Sequence, residues 1–203
     1  MVTCPKWTTK DLIGHLSMVL SYTVATITGH RPENTTAAAD WADALGRWDG
    51  SRLAAREALN RPANQPIRSP FPAGGETITV GDWTRRLAHE FAIHRLDAES
   101  ALPTPVGTRF APEFAEDGID ELLAFLGPRS WPQTEREGVV EVRAGDRSWT
   151  IVLRAGERPA PGDGTPDVTL IGSADEVYRA LWGRPHAAET TGDTPLLAPL
   201  AAP

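Results

Sequence analysis

The sequence predicts an α+β chain in two parts: a helical bundle over residues 1–128 and a small α+β domain over residues 134–203. Three observations carry this. Apolar residues recur at three- and four-residue spacing as far as Leu126, which is the period of a helix with one buried face. From Gly138 onward, short runs rich in Val, Ile, Thr and Trp alternate with turn residues, which is the period of strands. Between them, Pro128 to Gln133 breaks both patterns.

The first helix begins at Thr8, which forms a capping-box-like pair with Asp11, aspartate standing where glutamate or glutamine is usual. Leu12, His15, Leu16, Val19, Leu20 and Thr23 follow one stripe, and Gly29 and Pro32 end it. A second helix is expected from Thr36 to Asn60 on Trp41, Leu45, Trp48, Leu53 and Leu59, with Gly50 as the place where it could break. Residues 61–79 hold Pro62, Pro66, Pro70, Pro72 and Gly74-Gly75 and read as a long ordered or semi-ordered loop. The third helix runs from Val80 to Leu102. The fourth, Pro112 to Leu126, completes the bundle with Phe114, Ile119, Leu122, Leu123 and Leu126 on one side.

In the second part, Gly138 to Arg143 and Ser148 to Arg154 form a hairpin around Ala-Gly-Asp-Arg, and Asp167 to Ile171 is a third strand. Ser173 caps a helix from Ala174 to Leu181, with Glu176 at the reciprocal position. An Ala/Pro/Leu-rich tail follows.

The bulk numbers narrow the function. With 203 residues, 40% of them apolar, the chain can bury a core. A net charge of −7 argues against a partner held by phosphate neutralisation, so no nucleic acid is expected. No apolar run spans a bilayer and no signal peptide opens the chain. A single cysteine excludes an intrachain disulfide. The expectation is a soluble, cytoplasmic protein with no membrane partner.

Chemistry concentrates on the third helix. Trp83, Leu87, Phe91, His94 and Ala98 share its apolar stripe, and Glu90 falls there too. A carboxylate and an imidazole on a face meant for burial need a partner. Residues at i and i+4 project from one side of a helix and can reach one ion. His15 occupies the same kind of position on the first helix. His15, Glu90 and His94 are therefore candidate metal ligands, two nitrogens and one oxygen with a fourth tetrahedral position left over, as in a catalytic zinc site. The alternative is a buried Glu90 hydrogen-bonded to Arg86 one turn earlier, with histidines satisfied by backbone. Asp97 could orient His94 or pair with Arg95. Arg86 could hold Glu90 or a substrate anion. His89 and His30 sit off the stripes and are expected in solvent, and His186 in a loop. Cys4 reads as packed and inert. Ser173 reads as a cap, since no nucleophile elbow surrounds it, and no glycine-rich phosphate loop is present.

The segment Thr3-Cys4-Pro5-Lys6-Trp7-Thr8-Thr9-Lys10-Asp11-Leu12-Ile13-Gly14-His15-Leu16 resembles the signature that opens the metal-binding helix of mycothiol-dependent maleylpyruvate isomerases, a family of DinB-like helical bundles. Glu90-Phe91-Ala92-Ile93-His94-Arg95-Leu96-Asp97-Ala98-Glu99 is similar to its second signature. Val168 to Tyr178 and Leu181-Trp182-Gly183-Arg184 resemble its C-terminal domain, itself similar to sterol-carrier-type α+β modules. The resemblance implies zinc at His15, Glu90 and His94, and mycothiol as a low-molecular-weight thiol cofactor. It implies addition of the thiol to a cis double bond conjugated to carbonyl groups, rotation, and loss of the thiol to leave the trans isomer. A mycothiol S-transferase of detoxification or secondary metabolism would use the same ligands. A non-catalytic small-ligand-binding protein is the alternative of another class. A small dicarboxylate substrate needs a cationic clamp, and Arg184 is the candidate catalytic residue for it; capping of the preceding helix is its other reading. The family usually carries a helix ahead of Thr-Cys-Pro-x-Trp, whereas Met1 stands almost at that segment. A bundle short of one helix would expose apolar surface and invite pairing into a homodimer.

Overall fold

A computed structural model of the chain describes residues 3–32, 36–71, 77–104 and 106–202. It divides into two compact units, the first Met1–Pro70 with Gly75–Gly107 and the second Phe71–Gly74 with Thr108–Pro203.

In the first unit, α1 (Thr9–Thr28) starts where the capping pair places it. Thr8 Oγ1 accepts from the Asp11 N–H, and the Asp11 carboxylate accepts from the Thr8 N–H at 2.8 Å. The Thr8 hydroxyl, donating to the same carboxylate at 2.7 Å, and then the Thr8 N–H hold the Asp11 carboxyl below its usual range. Gly29, at φ 77°, ends the helix and donates to the Ala25 carbonyl, a left-handed position that costs glycine little. Helix α2 (Trp41–Leu59) is capped by Asp40 and packs along α1. It begins five residues later than the periodicity suggested, and runs unbroken through Gly50.

The stretch expected as a loop contains a short antiparallel pair, β1 (Pro66–Arg68) and β2 (Thr77–Thr79), with Ile67 opposite Ile78 and both buried. Pro72, Gly74 and Gly75 lie outside the described residues. Strand β2 runs directly into α3 (Val80–Glu99). The Val80 and Gly81 N–H groups donate to the Gln65 and Ala63 carbonyls at 3.0 and 2.8 Å. A Cβ on Gly81 would stand 3.1 Å from that Ala63 oxygen, so the close approach favours glycine. Thr79 and Asp82 form a second capping box at the start of α3.

Helix α3 buries a face wider than its apolar stripe: Trp83, Leu87, Ile93 and Leu96 go inward, but so do Arg86, His89 and Asp97. The Trp83 indole N–H donates to Thr23 Oγ1 of α1 at 3.1 Å, which satisfies a buried polar tip. Phe91 meets Trp48 of α2, ring centroids 6.0 Å apart.

The second unit opens with α4 (Pro112–Asp120), proline at its first turn. A π-helical turn over Glu121–Leu126 continues it into the short α5 (Gly127–Ser130). The sheet has strand order β5-β4-β3-β6-β7, from β3 (Gly138–Ala144), β4 (Arg147–Leu153), β5 (Ala160–Pro161), β6 (Val168–Gly172) and β7 (Glu189–Gly192). The expected hairpin pairs Ala144 with Arg147, and Gly145 takes φ 59° in its turn. Strand β6 lies parallel to β3, while β7 closes the far edge antiparallel to β6. Helix α6 (Ala174–Leu181) packs on β6 and α4. The tail, read from sequence only by composition, forms a 3₁₀ helix over Thr194–Leu200 that buries Leu196 and Leu200.

One boundary needs correction. The join was expected at Pro128 to Gln133, with α4 as the fourth bundle helix, yet the division falls at Gly107 and Thr108. Ala115, Ile119, Leu122 and Leu123 are fully buried within the second unit. Phe110 and Phe114 meet Tyr178 of α6 at 5.4 and 6.2 Å between ring centroids. The Phe110 N–H donates to Asp175. An amphipathic helix shows that it has a buried face, not which partner covers it. Proline and glycine at 127–132 mark the end of a helix inside a domain.

Among the described residues no helix is long and apolar enough to cross a membrane. Replacing Thr79 by alanine removes a side-chain acceptor at the start of α3 and is expected to cost about 1 kcal/mol, read as a lower urea midpoint with unchanged slope.

Candidate metal centre

His15 projects from the second turn of α1 and Glu90 and His94 from consecutive turns of α3. The Glu90 carboxylate Oε1 stands 3.1 Å from His15 Nε2 and 3.2 Å from His94 Nε2. One donor atom from each of the three residues lies within 4.8 Å of the others. Ligands held about 2 Å from a tetrahedral zinc ion stand about 3.3 Å from each other, so the two measured separations match that array. The imidazoles meet edge to face at 4.7 Å.

Two of the three candidate ligands, His94 and Glu90, are held from behind. His94 Nδ1 lies 2.8 Å from Asp97 Oδ2, and Asp97 is fully buried. Arg95 pairs instead with Glu99 at 2.9 Å, so the open choice for Asp97 resolves toward His94. The other Glu90 oxygen, Oε2, accepts from Arg86 Nη2. Glu90 thus meets Arg86 as the second sequence reading expects, but its other oxygen faces the histidines, and His94 is bonded to carboxylates of Glu90 and Asp97.

Burial alone would raise the Glu90 carboxyl pKa, but hydrogen bonds to His15 and His94 and the charge of Arg86 outweigh it and hold Glu90 ionised far into acid. Burial likewise pushes the His94 pKa down, while Asp97 and Glu90 push it up, and the net direction is up. The donor set fits a cation on simple grounds. With the Nδ1 proton given to Asp97, a neutral His94 aims the Nε2 lone pair at Glu90 Oε1, itself an acceptor. Two facing acceptors require a proton or a metal ion between them.

Trp7 is the site residue that periodicity missed. Its ring lies 4.9 Å from His15 and stacks on His94 at 6.0 Å. It stands in a turn before α1, where its N–H donates to the Cys4 carbonyl at 2.9 Å. Thr3 Oγ1 lies 3.2 Å from Ser100 Oγ at the end of α3, which ties this segment down. A helical pattern begins only at Thr8 and gives no signal for a residue ahead of it.

The remaining candidates are placed as follows. Arg184 is in the second unit, where its guanidinium donates to the Trp182 carbonyl and its N–H to that of Arg179, the position of a cation at a helix C-terminus. His89, expected in solvent, is buried, because α3 is covered over more than its apolar stripe. His30 and His186 are exposed, and Cys4 is half-buried. Ser173 caps α6.

The family model of the mycothiol maleylpyruvate isomerase N-terminal domain matches residues 1–99, and that of the MDMPI C-terminal domain matches residues 113–199. No curated protein and no solved structure matches the chain. The first match ends with the last residue of α3 and the second begins in the first turn of α4.

The two shifts set a pH profile for protein stripped with chelator. A lowered Glu90 pKa contributes stability above the ordinary carboxyl value of 4.5, and this is lost as pH falls toward the folded value. A raised His94 pKa contributes stability fully below 6.5, lost as pH rises through the folded value. Urea midpoints should therefore peak between 4.5 and 6.5, and the alkaline decline should disappear in His94→Gln.

Proposed function

We propose that this chain, which belongs to the mycothiol maleylpyruvate isomerase family, binds one divalent metal ion, zinc, through His15, Glu90 and His94 and uses it with mycothiol on a small electrophilic acid. The named reaction is cis–trans isomerisation of a maleylpyruvate-like substrate. The observation that carries this is Glu90 Oε1 set between two imidazole nitrogens at 3.1 and 3.2 Å, on a chain whose family is one of enzymes.

When bound, zinc would lower the pKa of a thiol and hold the thiolate near its acceptor. The protein's own part is positioning. Asp97 fixes the tautomer and ring plane of His94. Arg86 keeps Glu90 ionised and aligned. Trp7 walls the histidine pair on one side, which limits water there. Arg184 is proposed as the clamp for a substrate carboxylate, on the chemistry of its bidentate fork. The same ligands would serve an S-transferase, and product analysis separates the two. An isomerase returns the thiol unchanged, whereas a transferase leaves it in a thioether.

Elemental analysis of the purified chain should give about one zinc per molecule, and His94→Ala should lose both the metal and mycothiol-dependent turnover. Metal retained in His94→Ala would overturn the ligand set. Metal without thiol-dependent turnover on maleylpyruvate or on thiol acceptors would point to a binding protein. Asp97→Asn should weaken zinc about 10–100-fold, measured by competition with a chromophoric chelator. Arg184→Ala should raise KM about 10-fold or more if its guanidinium holds substrate, given about 1.5–3 kcal/mol for a hydrogen bond to a charged group. A change confined to the melting temperature would leave Arg184 as a helix cap.

A further inference from the structure

We propose that Arg86 is a positioning residue that restrains Glu90 to a single coordinating oxygen and so keeps a corner of the metal centre open for an incoming ligand. The proposal rests on the metal reading above. Glu90 has two oxygens in different company. Oε1 faces His15 Nε2 and His94 Nε2 at 3.1 and 3.2 Å, whereas Oε2 accepts from Arg86 Nη2. A carboxylate with no such restraint can turn both oxygens onto one cation, since Asp and Glu bind metals either one-armed or two-armed. A second oxygen would add a fifth donor that crowds the position a catalytic site reserves for water or substrate.

Arg86 is suited to prevent this. It lies one helical turn before Glu90 on the same face of α3, so the guanidinium and the carboxylate are carried by one rigid element. Arg86 is itself buried, 8% exposed, so water competes little for Oε2. Its charge is permanent and its donors lie in a plane, which fixes direction as well as distance. Asp97 does for His94 what Arg86 does for Glu90: the atom that faces away from the centre is held, and the facing atom is thereby aimed. Direct substrate binding by Arg86 through Nη2, the alternative open in the sequence, would require that nitrogen to leave an ionised, buried carboxylate, at a cost of several kcal/mol for an uncompensated charge.

The test is the visible spectrum of the full chain loaded with cobalt(II) in place of zinc. Wild type should show the intense bands of a four-coordinate ion. Arg86→Gln should show several-fold weaker bands of five-coordinate form, because Glu90 closes on the metal with both oxygens. Arg86→Met, which keeps the packing of the stem, is run beside it so that instability of one variant does not decide the result. Arg86→Lys retains a cation on the same side and should return the spectrum toward wild type. A merely structural role would move the melting temperature of these variants and leave the bands unchanged. Wild-type and Arg86→Gln spectra that coincide, or a wild-type spectrum already five-coordinate, would overturn the role of Arg86 alone. A wild-type chain that takes up no cobalt would overturn the metal reading itself.

Discussion

A carboxylate that stays ionised while largely withdrawn from water is the constraint around which the first unit is arranged. Glu90 accepts contacts from three cationic or potentially cationic groups, His15, His94 and Arg86. Desolvation works against the charge and these partners more than offset it. Because His15 comes from a different helix, the charge is satisfied only if α1 and α3 cross at one height. The Trp83–Thr23 bond fixes that height from inside the core, seven residues from Glu90 on one helix and eight from His15 on the other. Apolar packing supplies the attraction between the helices, and one directional bond sets their register.

The elements that position α3 are small and local. A two-stranded ribbon feeds the helix without a break, and two backbone bonds to Ala63 and Gln65 clamp its first turn. The capping box of Thr79 and Asp82 satisfies donors that a helix start leaves open. At the other end, Ser100 Oγ donates to the Asp97 carbonyl and meets Thr3, which brings the Trp7 turn over the imidazoles. The site is thus braced at both ends of the helix that carries two of its three candidate ligands.

The second unit follows a separate logic. Its sheet buries alternate residues of β3 and β4, Val140, Val142, Ile151 and Leu153 among them, and α6 covers β6. The aromatic group of Phe110, Phe114 and Tyr178 joins α4 to α6. The π-helical turn at Glu121–Leu126 keeps Leu122, Leu123 and Leu126 inside, on the stripe that Ile119 begins at helical spacing. Trp131 then packs against Gly127, where no Cβ would fit, and donates to the Ala201 carbonyl.

Much of this was legible along the chain. The starts of α1 and α6, the β3–β4 hairpin and the inward positions of His15, Glu90 and His94 follow from period and capping chemistry, which are local and act over a few residues. Others were not legible. Strand β7, the partner of α4, the burial of His89 and the placement of Trp7 depend on which surfaces meet, and no local pattern encodes that. The same division runs through the candidate metal centre. The sequence by itself determined that a carboxylate and two imidazoles lie on helix faces meant for burial, because side-chain direction in a helix is set by spacing. Only the tertiary structure decided that they converge on one point and that Arg86 and Asp97 hold their outer atoms. Distances between separate helices come from packing and hydrogen bonds across the core, not from the order of residues within either one.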